Sequence, residues 1–148
     1  MTHLTLAKPD HFDAVAKLVT DFHAEERIDM SDTDRAAAIM PLLEGSPHGA
    51  IYLAGPARAP VGYLALSFAW SIHMGGLEAL VDELYIRPGV RGRGIGTEIL
   101  HGLPTQLASM GLKALHLDVH RDNTRARKLY EKLGFEADED YILMSRSL

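Results

Sequence analysis

The chain has 148 residues, the length of one ordinary domain, and its 47% hydrophobic and 24% charged residues are normal for a soluble globular protein. Its formal net charge of −5 argues against a nucleic-acid-binding protein, since such proteins usually carry a basic excess. The absence of cysteine excludes a disulfide framework, a Cys-ligated zinc site and a thiol nucleophile.

The sequence predicts a single domain over residues 1–148, because no repeat, low-complexity tract or linker interrupts it. The first residues lack the charged region and long apolar run of a signal peptide. No stretch approaches the ~20 apolar residues that span a bilayer. We therefore expect a soluble, cytoplasmic protein that binds neither a membrane nor nucleic acid.

The N-terminal half predicts strands and two helices. Apolar residues recur at intervals of three and four between residues 10 and 27, which is typical of a helix face. Ser31 and Asp34 have the spacing of a capping box, so a second helix is expected to begin there and to end before Gly45. Strands are predicted at residues 4–6, 50–54, 61–71 and 77–86, of which the last three form a meander.

The C-terminal half predicts two more helices and two more strands. A helix is expected over residues 94–111, and Pro104 inside it predicts a kink or an early end. Asp122 or Asn123 could cap the next helix, which runs to Gly134. The strands are predicted at residues 114–119 and 141–144. This order is mixed α/β and differs from the strict alternation of a doubly wound sheet.

A glycine-rich turn between a predicted strand and a predicted helix is the most informative segment. Gly92, Gly94 and Gly96 leave several backbone N–H groups without shielding side chains, and a helix N-terminus adds partial positive charge. Such a turn is typical of a phosphate site. Its spacing fits neither a P-loop nor a dinucleotide fingerprint, and the alternative is a turn whose glycines serve only geometry. Three arginines make the segment basic: Arg87, Arg91 and Arg93.

The spacing of residues 91–96, Arg-Gly-Arg-Gly-Ile-Gly, resembles the acetyl-CoA signature [Q/R]-x-x-G-x-[G/A] of the GNAT superfamily of N-acetyltransferases. Residues 123–135 are similar to the family's second signature, N-x-x-A-x-x-x-Y-x-x-x-G-F. The resemblance is strong over residues 62–135 and weak before them. It implies a GNAT-like fold, in which helices flank a central, splayed mixed β-sheet and acetyl-CoA lies in the splay.

The resemblance also implies which residues bind acetyl-CoA. Backbone groups of Leu84 and Ile86, with Tyr85 between them, would pair with the pantetheine arm as an extra strand does. The N–H groups of residues 92–97 would hold the pyrophosphate, and the Asn123 side chain would contact the cofactor. The remaining members of the predicted set are Arg91, Gly92, Arg93, Gly94, Ile95, Gly96, Thr97 and Tyr130.

Acetyl transfer to an amine needs a base, because a free amine has a pKa near ~10 and is mostly protonated at neutral pH. Asp82 and Glu83 are the candidates. Adjacent residues of a regular strand point to opposite faces, so only one faces the site unless a bulge re-aims them. We prefer Asp82, which shares its face with Leu84 in a regular strand. The alternative for each is a solvated or salt-bridged carboxylate.

The family motif implies that Tyr130 lies by the thioester sulfur, where it can give a proton to the departing thiolate. The alternative is a helix tyrosine that packs on the core. His120 is a minor candidate for proton transfer. No metal is expected, because His116 and His120 lie four apart on a strand, where that spacing does not converge.

The predicted activity is transfer of acetyl from acetyl-CoA to a primary amine of a small molecule, by direct attack in a ternary complex. A peptide or protein N-acetyltransferase and a non-catalytic acyl-CoA sensor are the alternatives. Homodimers are common in the proteins that this chain resembles, so the resemblance allows a homodimer, while the sequence itself does not fix the oligomeric state. An acidic stretch, opposed only by Arg27, could select cationic amines or could be a solvated face: Asp21, Glu25, Glu26, Asp29 and Asp32. Other residues that could line the acceptor cleft are Tyr63, Trp70 and His73.

Overall fold

The computed structural model describes residues 2–148. The chain divides into two compact units, Met1–Asp118 and Val119–Leu148. The strands are β1 (Leu4–Leu6), β2 (Gly49–Ala54), β3 (Gly62–Ser71), β4 (Gly76–Ile86) and β5 (Ala114–Leu117). The helices are α1 (Phe12–Glu25), α2 (Asp32–Leu43), α3 (Ile95–Leu107) and α4 (Thr124–Lys132).

The five strands form one mixed sheet in the order β1-β2-β3-β4-β5, which confirms the predicted architecture. The first four are antiparallel neighbours, whereas β5 pairs in parallel with β4. The parallel pairing runs only from Glu78↔Ala114 to Val81↔Leu117. From Asp82 to Ile86, β4 continues without β5, and this is the splay of the sheet.

Helices cover both faces of the sheet. On one face, α1 and α2 pack over a cluster that includes Val15 and Tyr63, both at 0% exposure. On the other face, α3 packs over a cluster that includes Leu64 and Leu103, also at 0%. Burial of one such aliphatic side chain contributes about 1.5–3 kcal/mol, so the two clusters hold the helices against the splayed strand.

Local signals in the sequence set the helix ends. The Ser31 hydroxyl accepts a hydrogen bond from the Asp34 N–H at 3.0 Å, which confirms the cap of α2. The helix α3 continues past Pro104 to Leu107, then tightens into a 3-10 turn that ends at Gly111. The α-helix therefore ends at Leu107, four residues before the predicted end at Gly111, which confirms the early end.

The strand predicted at residues 141–144 is wrong. Among the described residues of the second unit, α4 is the only helix or strand, and residues 133–148 are irregular. The four apolar side chains of residues 141–144 are 76% to 86% exposed. A short apolar run becomes a strand only with a hydrogen-bonded neighbour, which local sequence does not reveal.

Candidate functional site

The glycine-rich turn between β4 and α3 forms an open backbone cradle. Gly92 and Gly94 have φ of 79° and 77°, a left-handed conformation that other residues adopt at a cost. Gly94 is the N-cap of α3, and the first helical bond runs from the Glu98 N–H to its carbonyl at 2.9 Å. The N–H groups of residues 95–97 thus precede the first helical bond. An added Cβ at Gly92, Gly94 or Gly96 would meet no atom within 4 Å, so open space faces the turn.

The edge of β4 beyond the end of β5 is the second part of the site. The Arg87 N–H donates to the Val61 carbonyl, on the side of β3, at 2.8 Å. Strand alternation therefore directs the backbone groups of Leu84 and Ile86 to the opposite edge, where pairing with β5 has ended. This arrangement fits the pantetheine arm of acetyl-CoA, and the glycine cradle fits its pyrophosphate.

The Arg91 side chain turns back toward the fold. Its Nε donates to the Ile86 carbonyl at 2.7 Å, and its guanidinium bonds to Glu25 at 2.8 Å. The guanidinium carbon also lies 5.4 Å from the centre of the Tyr85 ring. Arg91 therefore fastens the turn to β4 and α1, a role that the sequence did not distinguish from those of Arg87 and Arg93.

A β-bulge separates the two candidate bases. Ala65 pairs with Glu83 while the next residue, Leu66, pairs with Val81, so Asp82 is the extra residue of β4. The regular alternation that we assumed for Asp82 and Glu83 is broken here. The shared face of Asp82 and Leu84, on which our preference for Asp82 rested, no longer follows.

The Glu83 carboxylate is held from two sides. Its Oε2 lies 2.8 Å from His23 Nε2, and its Oε1 accepts from the Tyr63 hydroxyl at 2.8 Å. Burial, followed by the charge of Glu83 and the hydrogen bond to it, raises the pKa of the Tyr63 phenol far above its ordinary value. Tyr63 is thus a permanent donor, and Glu83 has a donor on each oxygen.

Asp82 is accessible at the surface yet crowded by protein atoms. Partial desolvation raises the pKa of its carboxyl, and the charges of Glu83 and Asp118 raise it further, whereas positive charge on His23 would oppose them. A carboxylate with a raised pKa is a stronger base. Asp82 therefore has the environment that a proton acceptor needs, while hydrogen bonds already satisfy Glu83.

His23 and Arg35 are parts of this region that sequence reasoning missed. They are buried to 6% and 7% exposure, and Arg35 Nε donates to His23 Nδ1 at 3.2 Å. A signal was present in the helical periodicity: His23 follows Val19 by four residues, and Arg35 precedes Ile39 by four, so both lie on inward faces.

Most of the acidic stretch is neutralised. Glu25 pairs with Arg91 and Asp32 with Arg35, each at 2.8 Å, and Asp21 pairs with Lys17 at 3.3 Å. The expectation that only Arg27 opposes these acids is wrong, because Lys17 and Arg35 lie one helical turn from their partners and Arg91 reaches Glu25 through a tertiary contact. Asp21, Asp32 and Arg35 also line an open pocket of about 430 Å³ between α1 and α2.

The aromatic residues proposed for the acceptor cleft are not brought together. Tyr63 is at 0% exposure and bonds to Glu83. Trp70 is 76% exposed near the other end of β3, beside the turn that carries His73. Of the three, only Tyr63 lies near a candidate catalytic group.

In the second unit, the predicted contact Asn123 immediately precedes α4, and Tyr130 lies on α4. The Asn123 Oδ1 accepts from the Ala126 N–H at 3.2 Å and so caps the helix. The Tyr130 ring packs edge-to-face on Phe135, with centroids 6.1 Å apart. His120 accepts a hydrogen bond from the Asp122 N–H at 3.1 Å and is exposed. Their predicted roles in binding and proton transfer stay predictions.

Within residues 2–148, no group of three or more His, Cys, Asp or Glu side chains could hold a metal ion. Across the same residues, none of the helices combines the length and the apolar character needed to cross a membrane.

Comparison with known proteins gives one family. A protein-family model of sequences, described as "Acetyltransferase (GNAT) family", matches residues 12–135 of this chain. A solved structure of a putative acetyltransferase from Arthrobacter sp. FB24 is 30% identical, with a TM-score of 0.82 over 99% of this chain and 96% of that one.

Two curated relatives match shorter segments. The [ribosomal protein bS18]-alanine N-acetyltransferase of Haemophilus ducreyi is 36% identical over 58 residues, 39% of this chain and 40% of that protein. The thialysine N-epsilon-acetyltransferase of Bos taurus is 34% identical over 74 residues, 50% of this chain and 43% of that protein. The chain thus spans less than half the length of these relatives.

Proposed function

Because the chain belongs to the acetyltransferase (GNAT) family, we propose that it transfers the acetyl group of acetyl-CoA to a primary amine of a small molecule. One observation carries this proposal: a glycine cradle at the N-terminus of α3 adjoins a length of β4 from which β5 has withdrawn. Acetyl-CoA contains a pyrophosphate joined to an extended pantetheine arm, so its binding needs a phosphate cradle and a free strand edge side by side.

The cradle and the strand edge would hold acetyl-CoA together. Backbone N–H groups of residues 92–97 would bind the pyrophosphate, and Leu84 and Ile86 would pair with the pantetheine arm. The Ile86 carbonyl already accepts from Arg91, so Leu84 offers the more complete pair of backbone groups. Acetyl-CoA supplies an activated thioester at the open edge.

Asp82 is the proposed base, acting directly or through water. It stands at the bulge where the splay begins, and its raised pKa suits acceptance of a proton from an ammonium group. Glu83 remains the second candidate, although both of its oxygens already accept hydrogen bonds. Tyr130 is the proposed proton donor to the leaving thiolate. Direct attack in a ternary complex needs no acetyl-enzyme, and the chain has no cysteine to carry one.

A small-molecule acceptor and a protein acceptor both have named relatives. The bovine relative is named for thialysine, a small amine, and the Haemophilus relative for the alanine of a ribosomal protein. We keep the peptide or protein acceptor as the second candidate. One domain over residues 1–148, a homodimer and a cytoplasmic location stay predictions; the family match, residues 12–135, runs through both units.

A panel of amines with detection of CoA thiol tests the activity. Small primary amines, an N-terminal alanine peptide and buffer alone are each incubated with acetyl-CoA and the protein. We expect amine-dependent thiol release, with the acetylated amine identified by mass spectrometry. Release with the peptide alone would favour the second candidate, and binding of acetyl-CoA without release in any arm would indicate the non-catalytic sensor.

A further inference from the structure

Four side chains from four elements form a hydrogen-bonded chain behind the proposed base. Arg35 on α2 donates to His23 Nδ1 on α1 at 3.2 Å. His23 Nε2 lies 2.8 Å from Glu83 Oε2 on β4, and Tyr63 on β3 donates to Glu83 Oε1, also at 2.8 Å. Three of the four residues are at most 7% exposed, and the Glu83 side chain is 20% exposed. The proposed reaction gives His23 and Arg35 no task.

Only one direction of hydrogen-bond donation is consistent along these four side chains. A guanidinium has donors and no acceptor, so His23 Nδ1 must accept from Arg35. The proton of the imidazole therefore lies on Nε2, which donates to the Glu83 carboxylate. Two further bonds fix the guanidinium itself, from its terminal nitrogens to Asp32 and to the Met30 carbonyl, each at 2.8 Å. Arg35 is thus a clamp that sets the tautomer of His23.

Stabilisation of the fold does not by itself account for these four hydrogen-bonded side chains. Removing buried ionic groups from water is costly, and apolar side chains of similar volume often serve stability as well or better. Glu83 is the most exposed of the four residues, at 20% for its side chain, and it is the neighbour of Asp82 at the bulge. These hydrogen bonds therefore fix the position of the Glu83 carboxylate, a negative charge next to the proposed base.

We propose that His23 and Arg35 are positioning residues for acetyl transfer: Arg35 fixes His23 as the Nε2–H tautomer, and His23 with Tyr63 holds the Glu83 carboxylate beside Asp82. This inference rests on the proposed function, since it gives both residues a task in that reaction. Neither residue needs to touch a substrate.

The charged and titratable groups around Glu83 determine the expected effect on the pKa of Asp82. His23 faces Glu83 from α1, Tyr63 faces it from β3, and Asp82 is its neighbour on β4. Asp118 lies near Asp82 beyond β5, and Arg35 acts on Glu83 only through His23. The anion of Glu83 raises the pKa of Asp82, and charge on His23 lowers it. Positive charge on His23 would therefore weaken the base, and the bond that Arg35 donates occupies the Nδ1 lone pair that a second proton would need.

The tautomer can be read directly in the wild-type protein. Two-dimensional NMR of ¹⁵N-labelled histidine rings distinguishes Nε2–H, Nδ1–H and imidazolium forms, with His23 assigned by its loss in His23→Gln. We expect the Nε2–H form at neutral pH. An Nδ1–H form or an imidazolium in the folded wild type overturns the proposal, whether or not the protein is an enzyme.

Kinetics test the coupling to the reaction. In Arg35→Met, the imidazole loses its clamp, and its Nδ1 lone pair is free to accept a second proton. We expect kcat to fall at least ~3-fold, less than the ~10²–10⁴-fold that a base itself contributes. The pH profile should gain an ionisation that the wild-type profile lacks, while the KM for acetyl-CoA stays unchanged.

A double variant separates this effect from loss of structure. A glutamine amide offers an acceptor oxygen and a donor nitrogen in place of the two imidazole nitrogens, but takes no proton. Arg35→Met combined with His23→Gln should therefore lose the added ionisation. Lys17→Met is the matched control, because it removes a cation from an exposed pair on α1 and should leave the profile unchanged.

Should Arg35→Met fail to fold, His23→Gln and His23→Leu provide the test. The glutamine variant should retain most of the rate, and the leucine variant, which has neither donor nor acceptor, should lose ~10-fold. Equal rates overturn the proposal, as does a wild-type profile in folded Arg35→Met. Absence of thiol release from wild type with every amine contradicts the proposed function instead, which keeps the two failures distinct.

Discussion

Tyr63→Phe tests whether the hydrogen bond from Tyr63 to Glu83 stabilises the folded protein. The change removes the hydroxyl that donates to Glu83 Oε1 at 2.8 Å and keeps the ring. The ring lies in the core at 0% exposure, with Phe22 and Tyr85 each at a centroid distance of 6.2 Å. Packing should therefore stay unchanged, so that the measured difference reports the hydrogen bond.

The expected cost follows from the acceptor and its exposure. A hydrogen bond to a charged group contributes about 1.5–3 kcal/mol. The Glu83 side chain is 20% exposed, so water can replace part of the lost bond, and we expect the lower end, about 1.5 kcal/mol. For a chain of this size, that corresponds to a fall in Tm of ~3–6 °C.

The difference should also depend on pH. The folded state raises the pKa of the Tyr63 phenol above 10.0, so the unfolded chain gives up this proton first. The stabilising contribution is fully present below pH 10.0 and is lost as the pH rises toward the folded pKa. The gap in stability between wild type and Tyr63→Phe should therefore narrow in alkaline solution.

Urea unfolding of both proteins at neutral and alkaline pH measures these quantities. Tyr52→Phe is the matched control, since Tyr52 packs on the opposite, α3-covered face of the sheet. If Tyr63→Phe costs no more than Tyr52→Phe at neutral pH, the hydroxyl does not hold Glu83 and the reasoning fails.

Two further predictions concern the proposed acid and base. Asp82→Asn should lower kcat by ~10²-fold or more. It should also raise the free energy of unfolding slightly at pH 7. The fold raises the pKa of Asp82, so its carboxyl stabilises the fold below the unfolded-state pKa, and this stabilisation is lost as the pH rises through the folded-state pKa. At pH 7 the charged carboxylate is therefore unfavourable in the folded protein, and asparagine removes that charge. Unchanged kcat would leave Glu83 or water as the base. Tyr130→Phe should turn over at least ~10-fold more slowly with acetyl-CoA affinity nearly unchanged, and near-normal turnover would make the tyrosine a packing residue.

The sequence was sufficient where local geometry decides. The Ser31 cap of α2 and the N-terminus of α3 at Gly94 follow from residue type and spacing, and both are found. The meander and the mixed sheet follow from strand runs and turns. The family resemblance, carried by residues 91–96 and 123–135, predicted the rest of the architecture.

The sequence was insufficient where pairing between distant residues decides. The bulge at Asp82 arises from the register of β4 on β3, and strand alternation alone cannot reveal it. Arg35 and His23 meet because α1 and α2 pack on one face of the sheet, although their inward positions were readable. Glu25 looked unopposed because its partner, Arg91, is 66 residues away along the chain.

Binding of acetyl-CoA to Gly94→Asp and Gly111→Asp, measured by calorimetry, tests the central claim most directly. The two glycines have φ of 77° and 80°, and an added Cβ meets no atom within 4 Å at either, so strain and charge are matched. Only Gly94 lies in the proposed cradle, where a carboxylate about 4 Å from phosphate opposes binding by up to ~4 kcal/mol. We expect affinity to fall at least ~10-fold in Gly94→Asp and to stay at the wild-type value in Gly111→Asp. Equal affinity in the two folded variants would contradict the glycine turn as the acetyl-CoA site.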